Sequence, residues 1–252
     1  MMKSRPRVLI AFAALLLGIF ALATPSLALL VRPIIIDLTA SGTSANGQIE
    51  VVNDRNKPMA IEVKVNSFTL PERGDLVLGP DAAKDFLIFP AIAQLPPGGR
   101  QVFRVRYIGD PAIAQSKLYM FSSSELPVSE AAAGDKARIE VLYAISSVVA
   151  VRPPRTTAAI SVAAVERSVG PDKQPGIRIT FQNKGASHGY VGSTVLDLNS
   201  GSWRKSIAAD ATGKAFGLGL VPANARRSLF IPVADVPASG AINVTIKAAS
   251  EA

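Results

Sequence analysis

One histidine, His188, and no cysteine narrow the chemistry open to this chain of 252 residues. Without cysteine there is no disulfide, no thiolate metal site and no catalytic thiol. A metal centre needs several ligands at suitable spacing, and His188, in His188-Gly189-Tyr190, has none beside it in sequence. Gly217-Leu218-Gly219 is followed by neither a Walker-type lysine nor a helix signal, so it does not read as a phosphate loop. The single Trp203 reads as packing, and the glycosylation-like triplet Asn243-Val244-Thr245 sits inside a strand pattern. The expectation is a protein with no catalytic residues, metal or cofactor, in which His188 is structural.

The spacing that carries information is apolar. In Ala137–Arg152, ARIEVLYAISSVVAVR, the residues Ile139, Val141, Tyr143 and Ile145 stand two apart, with Arg138, Glu140 and Ala144 on the opposite face. A period of two with β-branched residues describes a half-buried strand. From Val148 to Val151 both faces turn apolar, as in a strand entering a closed core. At about 3.3 Å per residue the stretch would span roughly 50 Å, several times a usual strand. The chemistry of such a row is binding: its outer half is expected to be an edge lent to another chain.

The rest of the chain must position that edge. Short apolar runs broken by Pro, Gly, Asn and Asp recur throughout, which predicts an all-β protein of two sandwiches. Lys3, Arg5 and Arg7, the apolar run Val8–Ala23 and the small residues Ser26-Leu27-Ala28 read as an export leader over 1–28. Beyond it, 24 basic residues face 19 acidic ones, scattered among strands with few aromatics, which argues against nucleic acid as a partner. Once the leader is cleaved, no stable membrane insertion is expected. Leu29–Leu38, interrupted by Pro33, suits a strand that switches sheets. Strands are expected at 47–53, 59–68, 86–90, 101–108 and 117–123, then a small polar loop over 125–136 before the long strand. In the second half, strands are expected at 159–166, 176–183, 188–198, 227–233 and 241–248.

The first half resembles the N-terminal domain of periplasmic pilus-assembly chaperones of the chaperone–usher pathway. The resemblance rests on Val31–Leu38 (VRPIIIDL), Val51–Asn53 (VVN), Leu95–Arg106 (LPPGGRQVFRVR), Gly109-Asp110-Pro111, Glu125-Leu126-Pro127 and Val149–Pro153 (VAVRP). The second half resembles the family's smaller domain through Phe181–Val191 and Val221–Val233. This implies two immunoglobulin-like β-sandwich domains in a boomerang arrangement: a leader over 1–28, a chaperone domain over 29–152, a hinge over 153–157 and a second domain over 158–252. It also implies residence in the periplasm, pilus or fimbrial subunits and an outer-membrane usher as partners, and donor-strand complementation through Ile139, Val141, Tyr143 and Ile145. Self-association through the same edge is a further use of it, and a secreted structural or adhesive immunoglobulin-like protein is the alternative reading.

The family usually holds a subunit's terminal carboxylate with two basic residues in the cleft between domains. The matching positions are Ile35, or its neighbour Ile34 as the second choice, and Val148, so both charges are absent here. Arg32, Arg104, Arg106 and Arg152 are the candidates to replace them.

Overall fold

The computed structural model describes residues 29–127, 142–170 and 172–248. The opening strand divides at Pro33. Its first part, β1 (Leu29–Arg32), and its second, β2 (Ile35–Thr39), enter different sheets, as expected of a strand carrying an internal proline. One sheet runs β1, β3 (Asn46–Asn53), β8 (Arg100–Tyr107), β6 (Phe86–Phe89). The facing sheet runs β2, β10 (Ala144–Arg152), β9 (Lys117–Leu126), β4 (Met59–Thr69), β5 (Val77–Asp81), with β7 (Ile92–Leu95) also on β4. Alternation decides what fills the gap between them. Ile49, Val51, Phe103 and Val105 point inward from one sheet, and Ile61, Val65, Phe121, Val149 and Val151 from the other, all essentially without solvent contact. Phe86 sits edge-on to both Tyr119 and Phe121, with ring centres 4.8 Å apart in each pair.

The second sandwich has its own core, built on Ile177, Ile179, Phe181, Leu196, Leu198 and Val221. One sheet is β11 (Ile160–Val169), β12 (Pro175–Asn183), β17 (Arg226–Pro232), and the other is β15 (Trp203–Ile207), β14 (Thr194–Ser200), β18 (Asn243–Ala248). A short pair, β13 (Gly189–Tyr190) and β16 (Leu220–Val221), lies at the margin toward the first sandwich. The expected single strand over 188–198 is therefore two, parted by a turn at Gly192. A Cβ at Gly192 would lie 2.0 Å from the Gly217 carbonyl, so the chain must bend closely there and only glycine fits.

Helix α1 (Ala209–Phe216) was not foreseen from the sequence. It is tied down by the buried Thr212, whose hydroxyl lies within hydrogen-bond reach of the carbonyls of Gly192 and Thr194 at 3.1 and 2.7 Å. Gly217, in the left-handed region at φ 58°, ends that helix. The Gly217–Gly219 motif is thus a helix stop and a close backbone approach.

Candidate functional site

Strand β10 is where the two neighbouring sheet partners part company. Along its length it pairs antiparallel with β9, from Ala144 opposite Ser124 to Val151 opposite Lys117. On its other side the parallel partner β2 begins only at Val148, opposite Ile35. The Ile34 carbonyl takes the Val148 N–H at 2.8 Å, while the Tyr143 carbonyl takes the Glu125 N–H at 2.8 Å. Odd-numbered residues of β10 therefore direct their peptide groups to β9, and even-numbered ones to β2. Among the described residues, the peptide groups of Ala144 and Ser146 face a side with no strand on it. The cause is local: the chain before Ile35 has already crossed at Pro33 into the opposite sheet.

The inward side chains along this margin continue the core row. Val151, Val149 and Ser147 are buried, Ile145 packs partly buried against the first core, and Tyr143 is 42 % exposed. Of the four residues expected to be lent to a partner, Ile139 and Val141 lie outside the described residues. Ile145 is in β10, and Tyr143 stands just before it. Among the described residues the strand begins at Ala144, the stretch 137–141 of the expected strand lying outside them, and β9 runs on to Leu126 where a loop was expected from Glu125.

Glu125 shows why the strand reaches that far. Its carboxylate takes two hydrogen bonds from Arg55 Nη1 at 2.8 Å, with its side chain only 9 % exposed. The Arg55 guanidinium in turn lies 5.3 Å over the Tyr143 ring. This triplet joins the β3–β4 turn, the end of β9 and the entry to β10, and so fixes the lip of the open edge. Neither residue's role is readable from sequence, because Arg55 and Glu125 are 70 positions apart.

The face of this sheet that looks toward the second sandwich carries the even-numbered residues of β10 and the odd-numbered ones of β2. Ile35 and Val148 are adjacent in register there, and Val148 joins Phe68, Leu118, Ala150, Met120, Leu218 and Leu220 in one apolar cluster spanning both sandwiches. A cavity of about 180 Å³ opens beside Val148 between Leu70, Leu76 and Leu218. The two positions at which the sequence lacks a basic residue thus form a continuous greasy floor.

The structure does not bring the four candidate arginines together. Phe103 and Val105 take the core, which turns Arg104 and Arg106 outward, and Arg32 shares that outer face of the other sheet. None of the three shares the face that carries the Ile35–Val148 pair. Arg152 alone shares β10 with Val148, at its far end, where its charge faces Asp37.

Asp37 heads the polar half of the meeting face. His188 Nε2 lies 2.7 Å from Asp37 Oδ1 and donates to it, Tyr190 donates to the same oxygen at 2.8 Å, and His188 Nδ1 lies 3.0 Å from Ser116 Oγ. Burial pushes the Asp37 carboxyl upward, but the bonds from His188 and Tyr190 outweigh it and hold the group below its ordinary value. Burial, helped by Asp37, raises the Tyr190 hydroxyl, so it stays protonated and donates.

Ser116, His188 and Asp37 are the residue types of a hydrolytic triad, and Gly185-Ala186-Ser187-His188-Gly189 has the spacing of a nucleophile elbow. That elbow needs a strand-to-helix turn, whereas this segment joins β12 to β13 and Ser187 is buried. Ser116 Oγ already accepts the His188 backbone N–H at 3.0 Å. The arrangement is a clasp between the sandwiches.

A second strap is the segment Pro71–Asp75. The Glu72 carbonyl accepts the Ser228 N–H at 2.7 Å, Arg227 donates to the carbonyls of Pro71 and Gly74, and Arg73 pairs with Glu166 at 3.1 Å.

With this geometry established, comparison with known proteins decides the family. The model of the pili and flagellar-assembly chaperone family, PapD N-terminal domain, matches residues 31–157, half of the chain. The chain belongs to that chaperone family. No curated protein sequence matches it. Among solved structures, the class 5 fimbriae chaperone CfaA is similar with a TM-score of 0.53 at 11 % identity, over 87 % of this chain and 99 % of that one. A chaperone from a chaperone–tip adhesin complex of CFA/I fimbriae gives 0.52 at 10 % identity, over 88 % and 100 %. The YadV chaperone gives 0.51 at 10 %, over 86 % and 91 %. At such identity these likenesses speak for the fold: two immunoglobulin-like sandwiches of the chaperone type.

Proposed function

We propose that this member of the chaperone family works in the periplasm, completing pilus or fimbrial subunits by lending them the open margin of β10 and passing them to an outer-membrane usher. The observation that carries the reading is the one-sided pairing of Ala144–Ser147, with β9 on one flank and no strand on the other among the described residues. A subunit lacking a strand exposes an unpaired ladder and a groove, both prone to aggregate. The peptide groups of Ala144 and Ser146 meet the ladder, and Ile145, Tyr143, Val141 and Ile139 enter the groove in turn. At about 1.5–3 kcal/mol per buried side chain, a few such anchors give several kcal/mol, part of which association entropy offsets. Complexes of this kind are built to exchange, so moderate affinity suits the task.

The Ile35–Val148 floor offers the end of the bound subunit apolar contact where the family usually offers two charges. A carboxylate buried on such a floor without a partner would be costly, so the subunit's chain end lies over the floor by its side chains.

The test is co-expression with subunits encoded beside the gene, followed by co-purification. Ser146→Pro removes one backbone donor from the open side and leaves the bonds to β9 intact, because those belong to odd-numbered residues. Ile145→Arg puts a charge into the lent row. Both are expected to reduce recovered subunit at least tenfold; thermal stability of the free protein should be little changed in Ser146→Pro and lowered in Ile145→Arg, because Ile145 packs in part against the first core. Recovery equal to wild type in both variants refutes the donor-edge reading.

A further inference from the structure

The outer face of the β1–β3–β8–β6 sheet carries a charge pattern that subunit binding at β10 does not use. Arg100, Arg104 and Arg106 project from β8, and Arg32 projects from β1, two strand spacings or about 10 Å away. Between them on β3 stand Asn46, Gln48, Glu50 and Val52. Among the described residues Glu50 is the only carboxylate on this face, and it pairs with Arg100 at 3.8 Å.

The β6 side of the same face is apolar. Leu87 lies opposite Arg106 and Phe89 opposite Arg104, at 58 % and 69 % exposure. Two adjacent side chains of that size held out in water beside arginines are not explained by folding, since the sandwich core is complete without them. A cavity of about 430 Å³ lies between Phe89, Leu87, Arg104, Arg106 and Gln48.

We infer that this face docks the protein on an anionic lipid surface. The guanidinium groups would bind headgroup phosphates, bidentately where geometry allows, and Phe89 with Leu87 would enter the boundary between headgroup and chain. Charge complementarity selects an anion. The layout favours lipid over an acidic peptide, because a peptide added along one sheet edge would reach one strand's residues. This patch instead extends in two dimensions across the sheet, from Arg32 on β1 through the three arginines of β8 to Leu87 and Phe89 on β6. Lipid headgroups diffuse laterally and can meet each charge where it stands. The inference goes beyond the subunit-binding reading and does not rest on it: the two surfaces are on opposite sheets.

The experiment is co-sedimentation of the purified chain with phosphatidylcholine vesicles, with and without phosphatidylglycerol. The wild type is expected to bind only the anionic vesicles and to be released by raised salt. Replacing Arg104 and Arg106 together by Ala should weaken partition about 25-fold, at about fivefold per arginine, and Phe89→Ser should weaken it severalfold. Melting temperature and subunit recovery should stay unchanged in these variants, since the altered side chains are exposed. Equal binding to neutral and anionic vesicles, or wild-type partition in the double variant, overturns the inference. Binding to soluble polyglutamate without binding to vesicles also overturns it, and assigns the face to an acidic protein partner.

Discussion

The two sandwiches share one internal device and differ at their edges. In the first, the buried Asn53 donates to the carbonyls of Lys57, Leu95 and Pro96 while its own side-chain oxygen accepts the Arg55 N–H. In the second, the buried Asn183 donates to the carbonyls of Ser187, Val221 and Pro222 and accepts the Gly185 N–H. The same side chain, at the same place at the end of a core strand, ties a following turn to a distant Leu-Pro or Val-Pro step. The edges are treated oppositely. β18 at the margin of the second sandwich carries Lys247, paired with Asp197 at 2.6 Å, and β15 carries Arg204 and Lys205. Charged residues of this kind discourage a foreign strand. The open margin of β10 carries Ala144, Ile145 and Ser146 and no charge. A common frame, with charged margins on the second sandwich and an uncharged margin at β10 on the first, is what the proposed donor edge calls for.

The shared device predicts the largest effect. Asn53→Ala and Asn183→Ala each strand buried carbonyls, and each should cost on the order of 3 kcal/mol. Urea unfolding followed by amide exchange should place the loss in the altered sandwich. A much smaller loss in one of them would show that the two clamps are alike in geometry but not in energy.

The edges predict a smaller, reciprocal pair of effects. Ser146→Lys gives the β10 margin the protection β18 has, and it should lower subunit recovery while changing stability by no more than about 0.5 kcal/mol. Lys247→Val strips that protection from β18, and sedimentation velocity should then show association that grows with concentration. A monomeric Lys247→Val chain would mean that the charge is not what guards that edge.

Much of this plan was legible in the sequence, and the reasons for what was missed are specific. Alternation in Met59–Phe68 and Gln101–Ile108 reported one face each, and Pro33 marked the change of sheet, because these signals act over a few residues. β5, β7 and β15 were not foreseen: β5 buries no residue, so no period is written into that run, and the buried face of β7 is only Ala93 and Leu95, too short to show one. Helix α1, Ala-Asp-Ala-Thr-Gly-Lys-Ala-Phe, is short and glycine-bearing, and it is held by Thr212 rather than by its own propensity. In the candidate site, the row through Ile145 and the missing charges at Ile35 and Val148 were visible as residue types. Their adjacency was not, since it depends on a parallel register between strands more than 100 residues apart. The same holds for the clasp of Asp37 with His188 and Tyr190, which no local pattern announces.

That clasp predicts the smallest effect, and one with a definite sign. The folded Asp37 carboxyl sits below its ordinary value of 3.8 because hydrogen bonds from His188 and Tyr190 outweigh the cost of its burial. A carboxyl depressed by folding contributes stability that is complete above its unfolded value and is lost as pH falls through the folded one. Asp37→Asn should therefore be less stable than wild type near neutral pH, and the gap should close as the pH is taken down below 3.8. The side chain is 45 % exposed, so solvent screening keeps the neutral-pH difference to about 1 kcal/mol or less. Urea titrations of both proteins across the acid range measure the gap directly. The clasp joins residues of the two sandwiches, so the effect should appear in the coupling of the two halves: in the variant, their unfolding transitions should separate at neutral pH. A gap that persists unchanged into acid would mean that the carboxylate charge of Asp37 does not hold the two sandwiches together.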